Sequence, residues 1–442
     1  MNRRLLIIIA AMLALAGCKK ENKEDFQYPD ENKVLTKSEA ETVRGHVIAD
    51  WRKDRMPLAD KVIATKAQRT PTASLKNAKP DWSYYQVTDI DKHVMRFFID
   101  VYGNKPADGR SLWISLHGGG EDQAAGGKNN DGQWDNQRVM YLNASPAQPQ
   151  EGVYVAPRAY KDTYDLWFFR GNDGLFRQII ETMVLKYDVN PDKVYLLGYS
   201  AGGDGVWRMA PRLADHWAAA SMMAGHPGDV RFENLRNLPF MMWVGSKDDA
   251  YNRNTLVPAA SKTIDALEKA DAEGYIHKCN VLEGKPHWMD LEDAAAFTWM
   301  AKYKRNPYPR KIVWRQENEE KKMPQAFFYW LKVADSFITG RSDDDAPGSS
   351  AERAKYLGKE ITAEISGNNI HISKCGYSTP VTIYLNDKMV NLDKEVTVTY
   401  GSDQKEIFKG KVERSLKIMR QSMYERNDPS YCFPAQIKIT VQ

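Results

Sequence analysis

The sequence predicts an α/β fold: a doubly wound, mostly parallel sheet of eight strands, followed by a smaller all-β domain. Three observations predict it. Compact apolar runs alternate with helical stretches between residues of about 83 and 305. Those runs lack the polar alternation of a half-solvated sheet, which marks strands covered on both faces. After about residue 310 the helical stretches give way to apolar runs broken by Gly, Asn and Asp turns.

Composition bounds what such a chain does. Its 442 residues exceed one ordinary domain. A hydrophobic share of 42% and a charged share of 27% exclude a polytopic membrane protein and a disordered chain. With 62 basic and 58 acidic residues the net charge is +4, so nucleic acid is not the expected partner. Four cysteines do not make a disulfide-dense scaffold.

The elements follow in order. Arg3 and Arg4 precede an apolar run from Leu5 to Ala16. It is too short to cross about 30 Å of hydrocarbon and suits the core of a secretory leader. The run closes on Leu15-Ala16-Gly17-Cys18 and turns polar at Lys19-Lys20. This resembles the lipobox of bacterial lipoproteins. The resemblance implies a signal peptide over 1–17, lipidation of Cys18, and a membrane anchor in the bacterial cell envelope, at the outer membrane or cell surface. Residues 18–35 read as a charged tether. Thr36 and Glu39 form a capping box, and Val43, Val47, Ile48 and Trp51 share one helical face. That helix leads into a first domain over 36–310.

Strands are expected at Tyr84–Val87, Met95–Val101, Leu112–Leu116, Val153–Ala156, Lys193–Leu197, Ala218–Met223, Phe240–Val244 and Ile276–Leu282. Helices are expected at Leu175–Tyr187, Gly205–Leu213 and Leu256–Lys269. The second domain, 311–442, offers an aromatic run at Phe327–Leu331 and a hairpin of Ile361–Ile365 with Ile370–Ile372 around Gly367. Val381–Leu385 turns through Asn386-Asp387 toward Met389-Val390. Strands at Val396–Tyr400, Ile407–Val412 and Ile437–Val441 follow, with a short helix at Leu416–Met423. The stretch Gly340–Ser350 reads as a linker. Export permits disulfides, so Cys375 and Cys432 are candidates to pair, and Cys279 reads as a buried thiol.

Chemistry is carried by four segments. Gly198-Tyr199-Ser200-Ala201-Gly202 joins a strand to a helix, and its glycines allow a sharp turn that holds a serine hydroxyl clear of its neighbours. The pattern alone is weak; the flanking strand and helix give it weight. His117-Gly118-Gly119-Gly120 follows another strand, where glycines let backbone N–H groups approach a ligand. An oxyanion hole needs two donors, and the N–H of Ala201 is the natural second. Asp248 and Asp249 follow the Phe240–Gly245 strand, putting a carboxylate at the sheet's carboxyl edge. His287 follows the last strand of the first domain, on a loop able to reach the serine. His226 fits that task less well; His46, His93, His216, His277 and His371 read as surface or packing residues.

The order Ser200, Asp248, His287 resembles that of the α/β-hydrolase superfamily. Residues of about 83 to 305 look most like secreted esterases of the dienelactone-hydrolase, feruloyl-esterase and polyhydroxyalkanoate-depolymerase type. The resemblance implies a Ser200–His287–Asp248 triad, with Asp248 preferred because glycine followed three residues later by aspartate recurs in the family, and Asp249 in reserve. It implies oxyanion donors at Gly119 or Gly120 with Ala201, and no metal or organic cofactor. The second domain is similar to an immunoglobulin-like accessory domain. A pocket for an apolar or planar group is expected from Trp167, Tyr199 and Trp288, with His117 and His226 at its edge; Phe168 and Phe169 read as packing. Arg158 either binds a substrate carboxylate or pairs within the fold. The expected activity is hydrolysis of small-molecule or glycan-linked carboxylic esters, rising through roughly pH 6–7.5 as a histidine loses its proton. The competing readings are a serine peptidase of prolyl-oligopeptidase type and a non-catalytic surface-binding lipoprotein.

Overall fold

The structure is a computed structural model that describes residues 26–67, 82–89, 92–119, 130–141, 151–162, 166–167, 170–316, 326–333 and 359–441. The expected signal peptide over 1–17, Cys18, residues 19–25 of the expected tether, Gly120, Phe168, Phe169 and the 340–350 stretch lie outside the described residues.

Helix α1 (Lys37–Asp60) starts at the expected capping box: Thr36 Oγ1 accepts from Glu39 N at 3.3 Å, and Glu39 Oε2 accepts from Thr36 N at 2.8 Å. Its buried stripe is Ala40, Val43, Val47, Trp51 and Ala59.

The main sheet holds β1 (Thr65–Ala67), β2 (Trp82–Thr88), β3 (Val94–Tyr102), β4 (Arg110–Leu116), β5 (Gly152–Arg158), β6 (Val189–Tyr199), β7 (Ala219–Met223), β8 (Phe240–Gly245) and β9 (His277–Leu282). They lie in the order β1-β2-β3-β5-β4-β6-β7-β8-β9. From β5 to β9 every neighbouring pair is parallel, and β1, β2 and β3 add an antiparallel edge. The eight expected strands are all present. The sheet has nine because β1, Thr65-Lys66-Ala67, is too short and polar to register as an apolar run. Its central strands are buried on both faces: all residues of β5, β7 and β8 are inaccessible or nearly so.

Helices α2 (Asp131–Met140), α3 (Arg170–Lys186), α4 (Ala201–Arg212), α5 (Arg253–Ala270) and α6 (Ala295–Met300) accompany these strands. The sequence concealed α2, because its buried face carries Asp135, Gln137 and Arg138 where an apolar stripe was sought. Arg138 lies over the Trp82 ring, 4.4 Å from its centroid, so an aromatic face, not a methylene, is its neighbour.

Two further sheets follow. One contains β10 (Lys311–Arg315), β13 (Glu360–Ser366), β14 (Asn369–Cys375), β16 (Val396–Tyr400) and β17 (Lys405–Gly410) in the order β10-β13-β14-β16-β17. The other contains β11 (Phe327–Phe328), β12 (Leu331–Lys332), β15 (Val381–Leu385) and β18 (Ala435–Ile439) in the order β11-β12-β15-β18. Helix α7 (Leu416–Arg426) precedes the last strand. The 361–372 hairpin is present, with Ser366 opposite Asn369 and Gly367 at φ +59, the left-handed backbone a two-residue loop demands. Met389-Val390 forms no strand; Asn386 instead closes a turn, accepting from Met389 N at 3.1 Å and Lys388 N at 2.9 Å. Cys375, Cys432 and Cys279 are all free thiols, so the candidate pair is not formed. Burial pushes the Cys432 thiol up to about 12.

The β-rich part is not set off by a gap. One apolar core runs from Leu112 and Leu196 through Trp217 to Trp330, Ile383 and Tyr431. Helix α1 lies across both parts: Arg55 pairs with Glu181 of α3, and Trp51 Nε1 donates to Asn427 Oδ1 at 3.0 Å beyond α7.

Candidate active site

Strand β6 ends at Tyr199 and α4 begins at Ala201, so the whole turn falls on Ser200. Its backbone takes φ 60, ψ −124, a conformation that costs a non-glycine residue of order 1–3 kcal/mol. Glycines make the turn possible. A Cβ on Gly198 would strike the carbonyl of Gly202, and a Cβ on Gly202 would strike the carbonyl of Leu116. The turn is tied to its neighbour strand by Ser200 N donating to Met223 O at 2.9 Å.

His287 arrives on the loop after β9. Gly245 allows this: a Cβ there would occupy the place of the Lys285 and Pro286 carbonyls. The loop is fixed by Lys247 N donating to Lys285 O at 2.9 Å and by Tyr199 Oη donating to His287 O at 2.8 Å. His287 Nε2 then lies 2.9 Å from Ser200 Oγ, and His287 Nδ1 lies 2.8 Å from Asp248 Oδ2. A carboxylate only accepts, so Nδ1 carries the hydrogen and Nε2 presents its lone pair to the serine hydroxyl. The Asp248 side chain is fully buried, whereas that of His287 is 37% exposed. Of the two candidate carboxylates, Asp248 is the one that meets the histidine; Asp249 is exposed.

Gly118 and Gly119 lie beside this row. A Cβ on Gly118 would sit 3.1 Å from Ser200 Cβ, and Gly119 has φ +118. His117 and Trp167 do not line a pocket: both are fully buried. They brace the glycine loop from beneath. Trp167 Nε1 donates to His117 O at 3.0 Å. Ala159 N donates to His117 Nε2 at 3.1 Å, leaving Nδ1 to donate to Gly118 O at 2.7 Å. Burial, aided by Arg158, pushes the His117 imidazolium down to about 3, so this ring stays neutral. Two carbonyls of the loop are thereby occupied from below.

Tyr199 and Trp288 stand next to the imidazole. The Tyr199 ring lies 5.2 Å from His287 and 5.9 Å from Trp288, which is 44% exposed. His226 is half-buried, and its Nδ1 accepts from Gly228 N at 2.9 Å within its own turn. The other histidines are engaged elsewhere: His93 with Asp89, His216 with Asp215, His277 with Asp265, His371 with Thr399, and His46 stacked on Phe26. Arg158 pairs within the fold, donating to Asp131 at 2.9 Å and to Asp162. A cluster of Asp265, Glu268 and His277 has metal-ligand spacing, but the imidazole is already bonded on both nitrogens, to Asp265 and to the Tyr275 carbonyl.

Two groups went unread in the sequence. Asp204, one helical turn after Ser200, accepts from His226 N, and burial raises its carboxyl. Arg253, first residue of α5, points a guanidinium at Asp248, 3.6 Å from Oδ1. Neither belongs to a motif; the fold sets Asp204 against the His226 turn and Arg253 against Asp248.

No family model matches this sequence, and no curated protein matches it. Among solved structures there is distant likeness to esterases and α/β serine hydrolases over about half the chain. A thermostable esterase is 16% identical, with a TM-score of 0.35, over 50% of this chain and 62% of that one. This chain thus covers less than two thirds of that esterase. A feruloyl esterase module from Clostridium thermocellum is 15% identical, with a TM-score of 0.35, over 55% of this chain and 95% of that one. An α/β serine hydrolase homologue from Coxiella burnetii is 12% identical, with a TM-score of 0.33, over 50% of this chain and 95% of that one. Likeness at this level carries no chemistry across.

Proposed function

We propose that the protein is a serine hydrolase acting on carboxylic esters. The observation that carries the reading is the hydrogen-bonded row Ser200–His287–Asp248 at a strained strand-to-helix turn. A serine hydroxyl is a poor nucleophile until a base takes its proton. His287 Nε2 takes it as Oγ attacks the ester carbonyl, then returns it to the departing alcohol. Asp248 holds the tautomer and stabilises the imidazolium. Water repeats the sequence on the acyl-enzyme and releases the acid.

The developing oxyanion is bound by backbone N–H groups of Ala201 and of Gly119, with Gly120 as the alternative to Gly119. The first N–H groups of α4 lack intrahelical partners, and the glycine loop lies against Ser200. Losing one such donor costs about 3–4 kcal/mol of transition-state stabilisation. The exposed indole of Trp288, beside Tyr199, offers a face for an apolar, aryl or sugar portion of the ester. The leader and Cys18 support a lipid-anchored enzyme of the bacterial envelope.

A fluorophosphonate probe tests the reading. The wild type takes the label and Ser200→Ala does not. A wild type that fails to label, while folded, overturns the reading and favours a binding protein. A panel of p-nitrophenyl esters, feruloyl esters and prolyl amides then separates esterase from peptidase.

A further inference from the structure

We infer that Arg253 is a positioning residue for the Asp248–His287 pair: its positive charge faces and orients the Asp248 carboxylate while leaving the histidine as that carboxylate's side-chain hydrogen-bond partner. The inference rests on the hydrolase reading above and extends it to a residue outside the triad.

The pair is buried but not hydrogen-bonded. The Asp248 side chain is fully buried and that of Arg253 is 7% exposed. One carboxylate oxygen, Oδ2, is hydrogen-bonded to His287 at 2.8 Å. The other, Oδ1, lies 3.6 Å from an Arg253 terminal nitrogen and, among the described residues, has no hydrogen bond, nor has Arg253 Nε. A buried carboxylate oxygen without a hydrogen bond is costly, and a nearby cation is what makes it tolerable. At 3.6 Å the guanidinium acts through its charge. A bidentate grip would draw charge out of the carboxylate and weaken its hold on the imidazolium.

The local chain explains nothing else about Arg253. It is the first residue of α5, where the helix dipole opposes a cation. It follows two consecutive non-glycine residues in left-handed conformation, Tyr251 at φ 55 and Asn252 at φ 56, and Asn252 makes no side-chain cap to the helix. Three locally unfavourable choices thus deliver the arginine to the buried Asp248 carboxylate, with Asp204 also within its electrostatic reach, a pattern expected where function overrides local preference. The turn is pinned by Asn254 N donating to Asp248 O at 2.9 Å. The Tyr251 ring covers the guanidinium at 4.8 Å, screening it from water.

The test uses Arg253→Lys, Arg253→Gln and Arg253→Met beside the wild type. Gln and Met remove the charge; Lys keeps it. With p-nitrophenyl acetate, kcat falls by about 10- to 100-fold in Gln and Met, KM stays within about twofold, and Lys recovers most of the rate. A packing role would not separate Lys from Gln. The low-field proton resonance of the His287 Nδ1–H, read in 15N-histidine protein, does not depend on turnover. It persists in Lys and is displaced or exchange-broadened in Gln. Wild-type kcat and an unmoved resonance in Arg253→Gln overturn the inference, as does equal loss in Lys and Gln. A wild type that refuses the fluorophosphonate overturns the hydrolase reading separately, and the resonance still decides whether Arg253 orders the pair.

Discussion

Two of the regions in which this molecule buries arginines against aspartates do so differently. At the seam between the main sheet and the β-rich part, Asp215 Oδ2 accepts from Arg426 at 2.5 Å and from Tyr329 N at 3.2 Å, while Oδ1 meets His216 at 2.8 Å. Arg305 donates to Asp428 at 2.8 Å, to Asp192 at 2.7 Å and to the Asp215 carbonyl at 2.7 Å. Among the described residues, none of the buried side-chain oxygens or nitrogens of these five aspartate and arginine partners lacks a bond. Although burial pushes the Asp215 carboxyl up, His216 and Arg426 pull it well below the usual range. At the rim, Asp248 and Arg253 each keep a buried atom that has no hydrogen bond among the described residues. A fully satisfied network fixes one arrangement and is architecture. An incompletely satisfied pair leaves a charge available to its neighbour, which suits a group that must respond when a proton moves.

The sharpest way to break this contrast is Arg426→Met. It strands Asp215 at the seam, and breaking a buried pair costs about 3–5 kcal/mol. The urea midpoint falls accordingly, while the fluorophosphonate labelling rate of the still-folded fraction is unchanged. A midpoint equal to the wild type shows that the seam network contributes no net stability. A changed labelling rate shows that seam and rim are coupled, and the division between them fails.

How far the two regions were legible follows from the same contrast. The elbow at Ser200 was readable because its constraint is local: glycines two residues either side, a strand before and a helix after. The Asp248 and His287 positions were readable because each closely follows an apolar strand, so sequence order implies a shared sheet edge. The seam was not readable, since Asp215 and Arg426 are 211 residues apart and each alone is an ordinary charged residue. Arg253 lies only five residues after Asp248, yet it was hidden because a single charged residue in a turn does not show which group it faces. For His117 and Trp167 the sequence indicates the right neighbourhood but not the side of the loop, because neighbourhood along the chain does not say which way a side chain turns. Helix α2 was missed where buried polar groups replaced the apolar stripe that periodicity seeks.

A third buried carboxylate sharpens the comparison, because it has a hydrogen bond and, among the described residues, no paired cation. Asp293, 2% exposed, accepts from Tyr141 Oη at 2.8 Å. Burial pushes its carboxyl up from 3.8 to about 6. A carboxyl raised on folding stabilises the native state in its protonated form. That contribution is complete below the unfolded value near 3.8 and is lost as pH rises through about 6. Asp293→Asn removes the ionisation and keeps an oxygen for Tyr141 to bond. The variant therefore gains on the wild type by about 1.4 kcal/mol between pH 5 and pH 8, and by about 3 kcal/mol between pH 3 and pH 8, read as the difference of urea midpoints at the two pH values. Parallel curves for the two proteins mean that the carboxylate finds compensation when ionised. Asp293 would then belong with the satisfied seam, not with the exposed cost of a lone buried charge.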